Sequence, residues 1–455
     1  MSDTIAAIAT PQQPSAIGIL RLSGPETSAV LDRVFRAKNG RCASEQTPRT
    51  MVLGDLLDGE GRLLDNVLCV YFPGPDSYTG EDCAELHCHG SPVVLNEGLR
   101  ALFAAGARQA RGGEFTQRAF LNGRMDLIQA EAVIDLIDAE TAEVARNAVG
   151  QISGSLSRLV DGIYDDIMGL VSRFYAVVDY PDEDIEEHSR QELLDTLERA
   201  KSDLAALEST FSRGQVLKSG VPTVILGKPN AGKSSLLNAL LGYDRAIVTD
   251  VAGTTRDTVE EKVRLGQVLL RLIDTAGIRT TEDAIERQGV ARSRAAAEQA
   301  DLALLVLDGS TAPDSEDEAA IAVAKAVPHL LVVVNKNDLP LRPDTDTLTG
   351  RFERVISLSA KTGQGLDALT DAINALYPTG TEQQGHLLTN ARQADAVRRA
   401  LDAVDSALAA LRSGMTPDAV LPDAQSALAA LGDLNGKSVR EDLVSTIFSR
   451  FCVGK

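Results

Sequence analysis

The stretch Gly227-Lys228-Pro229-Asn230-Ala231-Gly232-Lys233-Ser234 has the spacing GxxxxGKS. Glycines let successive backbone N–H groups converge on one point, and with a lysine they form a cradle for phosphate oxygens. Asn230, Ala231, Gly232, Lys233, Ser234 and Ser235 would line it, with Lys233 on the β- and γ-oxygens and the Ser234 hydroxyl on Mg2+. That motif specifies only a nucleoside triphosphate. Asp274-Thr275-Ala276-Gly277 adds a carboxylate able to hold Mg2+ through water and a Gly N–H able to meet a γ-phosphate. Asn335-Lys336-Asn337-Asp338 adds the base. The Asp338 carboxylate can accept both N–H groups of a guanine edge, which adenine does not offer. Ser359-Ala360-Lys361 brings backbone N–H toward a guanine carbonyl.

These groups need strands to carry them. Five apolar runs qualify, at 221–227, 268–274, 301–308, 329–335 and 355–359, and helical stretches separate them. Such alternation predicts a parallel, doubly wound sheet over residues 216–380. Each motif then falls at a strand's C-terminal end and in the right order, which resembles the translation-factor-related class of Ras-like GTPases. Ile278 follows the Asp-Thr-Ala-Gly stretch where many GTPases carry a water-positioning Gln. Another group must therefore orient water and neutralise charge. The Asn230 amide oxygen and the oxygen-rich stretch Thr249-Asp250-Val251-Ala252-Gly253-Thr254-Thr255 can hold a monovalent cation where an arginine finger would sit.

The remaining chain has two textures. Residues 1–120 mix short apolar runs (17–24 and 66–72) with a helical stretch at 93–107, which is α+β material. Residues 121–215 read as helix, interrupted by the acidic, Pro-containing elbow 179–187. Their stripe runs through Leu156, Leu159, Ile163, Ile167, Leu170, Phe174 and Val177. Residues 381–455 return to helix, with Val397, Leu401, Val404, Leu408 and Leu411, then Leu443, Ile447 and Phe451, in step. The predicted fold is multidomain α/β: an N-terminal α+β domain, a helical bundle built from two chain segments, and an inserted P-loop domain.

Composition bounds the function. A net charge of −20 keeps nucleic acid off most of the surface, so a nucleic-acid substrate needs a basic patch or partner. No apolar run reaches membrane-spanning length, and the N-terminus lacks the form of a signal peptide. Five cysteines without a CxxC pair fit a reducing cytoplasm. The ending Phe451-Cys452-Val453-Gly454-Lys455 is not a prenylation box, because Gly and Lys fill its last two positions.

The blocks "ILRLSG" (19–24), "FPGPDSYTGEDCAELHCHG" (72–90), "RGGEFTQRAFLNGRMDL" (111–127), "GKPNAGKSS", "DVAGTTRD" and the terminal "FCVGK" together resemble the MnmE (TrmE) family of bacterial tRNA-modification GTPases. The resemblance covers essentially the whole chain. It implies a constitutive homodimer with a folate-binding-like N-terminal domain. It also implies a flavoprotein partner (MnmG-like, carrying the FAD) and an aminomethyl-type group built at C5 of the wobble uridine of certain tRNAs. The one-carbon unit would come from 5-formyl- or 5,10-methylene-tetrahydrofolate. Folate contacts carry over to Arg21, Glu85, Arg124 and Lys455, with Cys452 near the reacting carbon. Arg124 stands where Lys is frequent, and Ser91 replaces the second Gly of a His-Gly-Gly. K+ ligands carry over to Asn230, Thr249, Val251 and Thr254, and Mg2+ ligands to Ser234 and Thr255. The catalytic carboxylate carries over to Glu286, which the residues alone would leave as a solvated helix charge.

"CAELHCHG" (83–90) gathers two Cys and two His, but strand alternation sends neighbours to opposite faces and the spacing fits no zinc pattern. Cys42 and Cys69 read as inert packing. Arg21 and Glu85 alone read equally as a structural ion pair. Two rival functions are a regulatory RNA-binding GTPase of ribosome assembly and a folate-dependent transferase with an idle G domain. The first calls for a basic appendage that this acidic chain lacks, and the intact nucleotide motifs oppose the second.

Overall fold

The computed structural model describes residues 3–179, 189–243, 261–273, 294–340, 350–378 and 385–437, together with Phe448 and Gly454. The chain forms two compact units. Met1–Ile134, Gly150–Ala205 and Asp395–Lys455 make the first; Asp135–Val149 and Ala206–Ala394 make the second.

The first unit holds a seven-stranded sheet of order β3-β4-β5-β6-β2-β1-β7. The strands are β1 (Ile5–Ile8), β2 (Ser15–Ser23), β3 (Phe35–Ala37), β4 (Val52–Leu57), β5 (Leu63–Phe72), β6 (Cys83–Gly90) and β7 (Arg108–Gln109). Period-two alternation gives it one buried face. Leu20 and Leu22 of β2 and Ala84, Leu86 and Cys88 of β6 point inward. They meet Leu95, Leu99 and Leu102 of α2 (Pro92–Ala104), while α1 (Thr27–Val34) adds Val30, Leu31 and Val34. Register then places Arg21 opposite Glu85 and Ile19 opposite His87 on the outer face. Ile17, Leu53 and Leu68 are exposed on that face, and Leu53, Leu68 and His87 lie in one cross-strand row.

Four long helices of this unit pack by their apolar stripes: α6 (Ser155–Asp179), α7 (Arg190–Ser209), α12 (Ala391–Arg412) and α13 (Leu421–Asn435). Two shorter helices precede them in this unit, α3 (Glu114–Leu121) and α4 (Leu127–Ile137), while α5 (Ala142–Ile152) falls mostly in the second unit. The α6 stripe uses Val160 and Val171 beside Leu156, Ile163, Ile167 and Leu170, leaving Leu159 and Phe174 only half-buried. The helical texture of 121–215 also breaks more often than its composition suggests. Residues 138–141 interrupt it, and Gly154 turns at φ +79°. Asn435 Nδ2 donates to Asp161 at 2.9 Å, tying the end of α13 to α6. Gly436 then ends α13 at φ +90°, and a β-carbon there would press into the Phe120 ring. Phe448 lies against Leu127 and Ala130.

The second unit holds a six-stranded sheet of order β13-β12-β11-β8-β10-β9. Its strands are β8 (Val221–Leu226), β9 (Glu261–Leu265), β10 (Val268–Leu272), β11 (Leu302–Asp308), β12 (His329–Asn335) and β13 (Val355–Ser357). All pairs are parallel except β9–β10. The central strands are apolar throughout because both faces are covered. Leu236, Leu237 and Leu240 of α9 (Lys233–Tyr243) and Leu366, Leu369 and Ile373 of α11 (Leu366–Leu376) cover one side. Ala296 and Ala297, with Ile321 and Ala324 of α10 (Ser315–Ala324), cover the other. Strand β9 has no counterpart among the five expected runs. It is a short charged edge strand, "EKVRL", that buries only Val263 and Leu265 fully.

The two chain segments that flank this sheet meet each other. Helix α8 (Phe211–Ser219) brings Gly214 so close to the Leu388 carbonyl that no β-carbon fits. Thr210 Oγ1 accepts from Leu388 N–H at 3.1 Å. Asp135 accepts from the Thr389 hydroxyl at 2.7 Å and pairs with Lys218 at 2.6 Å.

No described helix is long and apolar enough to cross a membrane.

Candidate functional site

The nucleotide motifs converge at the C-terminal ends of β8, β12 and β13, where a doubly wound sheet places its ligands. The loop after β8 turns through left-handed backbone at Gly227 (φ +144°), Asn230 (φ +60°) and Gly232 (φ +99°), then opens α9 at Lys233. Asn is among the few side-chain-bearing residues that adopt this region readily. The Lys233 ammonium donates to the carbonyls of Gly227 and Lys228 at 2.7 and 2.8 Å, and burial pulls its pKa down. Ser234 and Ser235 are exposed on the first turn of α9. Lys228 anchors the loop from behind by ion pairs of 2.8 Å to Asp314 and 2.7 Å to Asp317, the capping pair of α10.

Asn335 joins the loop to the segment after β13. Its Nδ2 donates to the Ala231 carbonyl at 3.1 Å, and its Oδ1 accepts from Ala360 N–H at 3.0 Å. Lys336, at φ +67°, pairs with Asp308 at 2.6 Å. Asp338 is exposed and accepts from the Ser359 hydroxyl at 2.7 Å, a bond that lowers its pKa. Lys361 is exposed beside it. Thr249, Asp250, Val251, Ala252, Gly253, Thr254 and Thr255 lie outside the described residues, as do Asp274, Thr275, Ala276, Gly277, Ile278 and Glu286.

A second site lies in the first unit. A cavity of about 120 Å3 is lined by Arg21, Phe72, Tyr78, Thr79, Cys83, Glu85 and Phe115. Arg21 pairs with Glu85 at 2.8 Å and stands 5.7 Å from the Tyr78 ring centre and 5.8 Å from that of Phe115. An ion pair and flat apolar walls suit a planar, polar-edged ligand. Arg21 Nη1 also donates to the Gly454 carbonyl at 3.5 Å, so the one described residue of the last five stands at this pair. Cys452 and Lys455 lie outside the described residues. Arg124 is not among the lining residues; it lies over Gly80, 3.9 Å from Asp76.

Two family models match the chain: the GTP-binding protein TrmE N-terminus over residues 4–124 and the MnmE helical domain over residues 127–452. Relatives named tRNA modification GTPase MnmE align along the whole chain. That of Heliobacterium modesticaldum is 42% identical, covering 100% of each chain. That of Clostridioides difficile is 40% identical, again covering 100% of each. The chain belongs to the MnmE family. It is accordingly a GTPase, and GTP with Mg2+ goes with that activity. The G domain of the T. maritima FeoB iron transporter aligns over 34% of this chain and 96% of its own at 23% identity, with a TM-score of 0.26.

Within this MnmE chain some groups of the candidate sites escape the motif reading. Tyr78, Thr79 and Phe115 line the cavity, but no local pattern marks them. His87 touches Glu85 at 3.2 Å; strand alternation alone puts both on one face. Cys83, Glu85, His87 and His89 share that face while Cys88 is buried on the other, and no cluster of three metal-binding groups occurs among the described residues. Cys69 is buried packing, its thiol pushed up to about 12 by burial. Cys42 is not packing: it is exposed and caps the turn Ala43–Glu45.

Proposed function

We propose that this chain is the K+-dependent, GTP-hydrolysing subunit of a complex that modifies C5 of the wobble uridine in certain tRNAs. The complex would use a tetrahydrofolate one-carbon unit and a MnmG-like flavoprotein that carries FAD. The observation that carries the reading is the arrangement at Arg21. One guanidinium grips Glu85, stands near two aromatic rings and reaches the carbonyl of Gly454, two positions after Cys452 in the sequence.

In this reading the Glu85 carboxylate accepts N–H groups of a pterin edge, and Arg124 and Lys455 meet folate carboxylates. The Cys452 thiol stands next to the reacting carbon. At the other site, Gly232 and Lys233 hold phosphate oxygens, Ser234 and Thr255 hold Mg2+, and Asp338 reads guanine. Asn230, Thr249, Val251 and Thr254 hold K+, whose charge supplies what an arginine finger supplies elsewhere. Glu286 orients water in place of the Gln that Ile278 replaces. Exposed Ile17, Leu53 and Leu68 on the open sheet face of the first unit support a homodimer formed through that unit. The net charge of −20 supports a partner that contributes much of the grip on tRNA.

The deciding experiment replaces Cys452 by Ser and measures two things in the same cells and protein. Wobble nucleosides are analysed by mass spectrometry, and GTP turnover is assayed. We expect normal turnover and no modified uridine, because Ser is nearly isosteric but a far poorer nucleophile at neutral pH. Full modification by Cys452→Ser would show that the thiol only packs.

A further inference from the structure

The outer face of the first sheet carries His87 beside the Arg21–Glu85 pair. Glu85 divides its oxygens between two neighbours. Oε1 receives Arg21 Nε at 2.9 Å and Nη2 at 2.8 Å, while Oε2 faces His87 Nε2 at 3.2 Å. Arg21 alone holds one oxygen and leaves the carboxylate free to swing about that contact. His87 supplies the second point. Its cross-strand neighbours are Ile19 and Leu68, both apolar, and His89 on the same face is engaged by Asp65 at 2.7 Å.

We propose that His87 is a positioning residue for ligand binding in the cavity: its Nε2–H donates to Glu85 Oε2 and, with Arg21, fixes the carboxylate that receives the ligand. The ligand class is a flat heterocycle offering adjacent N–H donors, so this inference rests on the reading of the cavity as the tetrahydrofolate site. Glutamate has three side-chain torsions, and holding them before the ligand arrives removes their ordering cost from binding. The lone pairs left on the two oxygens then point in set directions, which selects ligands by the spacing of their donors.

The test titrates 5-formyl-tetrahydrofolate into the full-length chain. His87→Leu keeps the bulk on a face that already exposes Leu53 and Leu68, so folding is preserved and is checked by melting temperature. His87→Gln restores an N–H donor near the position of Nε2. We expect Leu to weaken binding about tenfold to a hundredfold, the scale of one hydrogen bond to a charged group. Gln should stay within about threefold of the wild type. In a Glu85→Gln background the Leu change should add less than about threefold, because the carboxylate it positions is gone. Equal affinity for wild type and His87→Leu would overturn the proposal. A second readout needs no ligand: 15N shifts of the His87 ring should show a proton on Nε2, and a proton on Nδ1 alone would also overturn it. A chain that shows a proton on Nε2 yet binds no folate would overturn the ligand assignment, and with it the role of His87 in binding, but not the contact to Glu85.

Discussion

Asn335 Nδ2 donates to the Ala231 carbonyl at 3.1 Å, across 104 residues of sequence. The other end of the same amide accepts from Ala360 N–H at 3.0 Å, so one buried side chain holds the phosphate loop and the segment after β13 together. Gly232 packs so tightly on that amide that a β-carbon would collide with it. We expect Asn335→Ala to lose both bonds and leave two backbone groups unpaired. At about 1–3 kcal/mol for such a loss, affinity for GDP and GTP should fall roughly tenfold to a hundredfold. Fluorescent-nucleotide titration measures this, and unchanged affinity would show that the clamp does not shape the site.

Asp338 is the proposed base-reading carboxylate. Asp338→Asn keeps an oxygen to accept from Ser359 but turns a double acceptor into a mixed donor and acceptor. Guanine affinity should drop at least about tenfold, and xanthine nucleotides, whose C2 oxygen replaces the amino donor, should be favoured. Competition between GTP and XTP gives the ratio. A variant that still prefers GTP would mean another group reads the base.

Much of the second sheet was legible because parallel strands covered on both faces are uninterrupted apolar runs, as β11 and β12 show. Strand β9 was not, because an edge strand three-fifths charged has no such run. Arg21 and Glu85 alone read equally as a structural ion pair, and only the resemblance made them candidate site residues; 64 residues separate them, and β2–β6 register brings them together. His87 was hidden for a related reason. Its neighbours in sequence draw the eye to a zinc pattern that their spacing does not fit, whereas its partner in space is a carboxylate two residues back on the same strand face.

Gly214 sits where α8 meets the Leu388 carbonyl. Gly214→Ala must push the two segments apart, breaking the Thr210–Leu388 bond. We expect a loss of about 2–4 kcal/mol, the scale of overpacking combined with a lost buried bond. Melting temperature should fall by several degrees. A stable Gly214→Ala chain would show that the contact yields easily.

Glu114 is 2% exposed, and burial would raise its pKa. Bonds from Arg108, the Arg111 N–H and Arg118 outweigh this and hold it at about 2, below the ordinary 4.5. A depressed carboxylate contributes stability that is complete above its unfolded value and is lost as pH falls through its folded one. That loss falls between pH 4.5 and about 2. It amounts to roughly 2–3 kcal/mol. Hydrogen exchange of the β1 amides across this range should show the decline. Glu114→Gln should be weaker at neutral pH and flatter with acid; an equally steep slope would place the acid sensitivity elsewhere.

Asn230 tests the cation. It stands exposed at φ +60° on the phosphate loop, and its amide oxygen is the one proposed K+ ligand among the described residues. GTP hydrolysis should run much faster in K+ than in Na+ at equal ionic strength, and equal rates would end the K+ reading. Asn230→Ala removes the ligand but also places an unsuited residue in left-handed backbone, at a cost of about 1 kcal/mol. Asn230→Gly removes the ligand without that strain. If the amide oxygen binds K+, both variants should lose most of the K+ advantage, with Gly keeping the better nucleotide affinity. If Gly keeps the K+ advantage and Ala loses it, the effect of position 230 is backbone strain and the amide oxygen holds no cation.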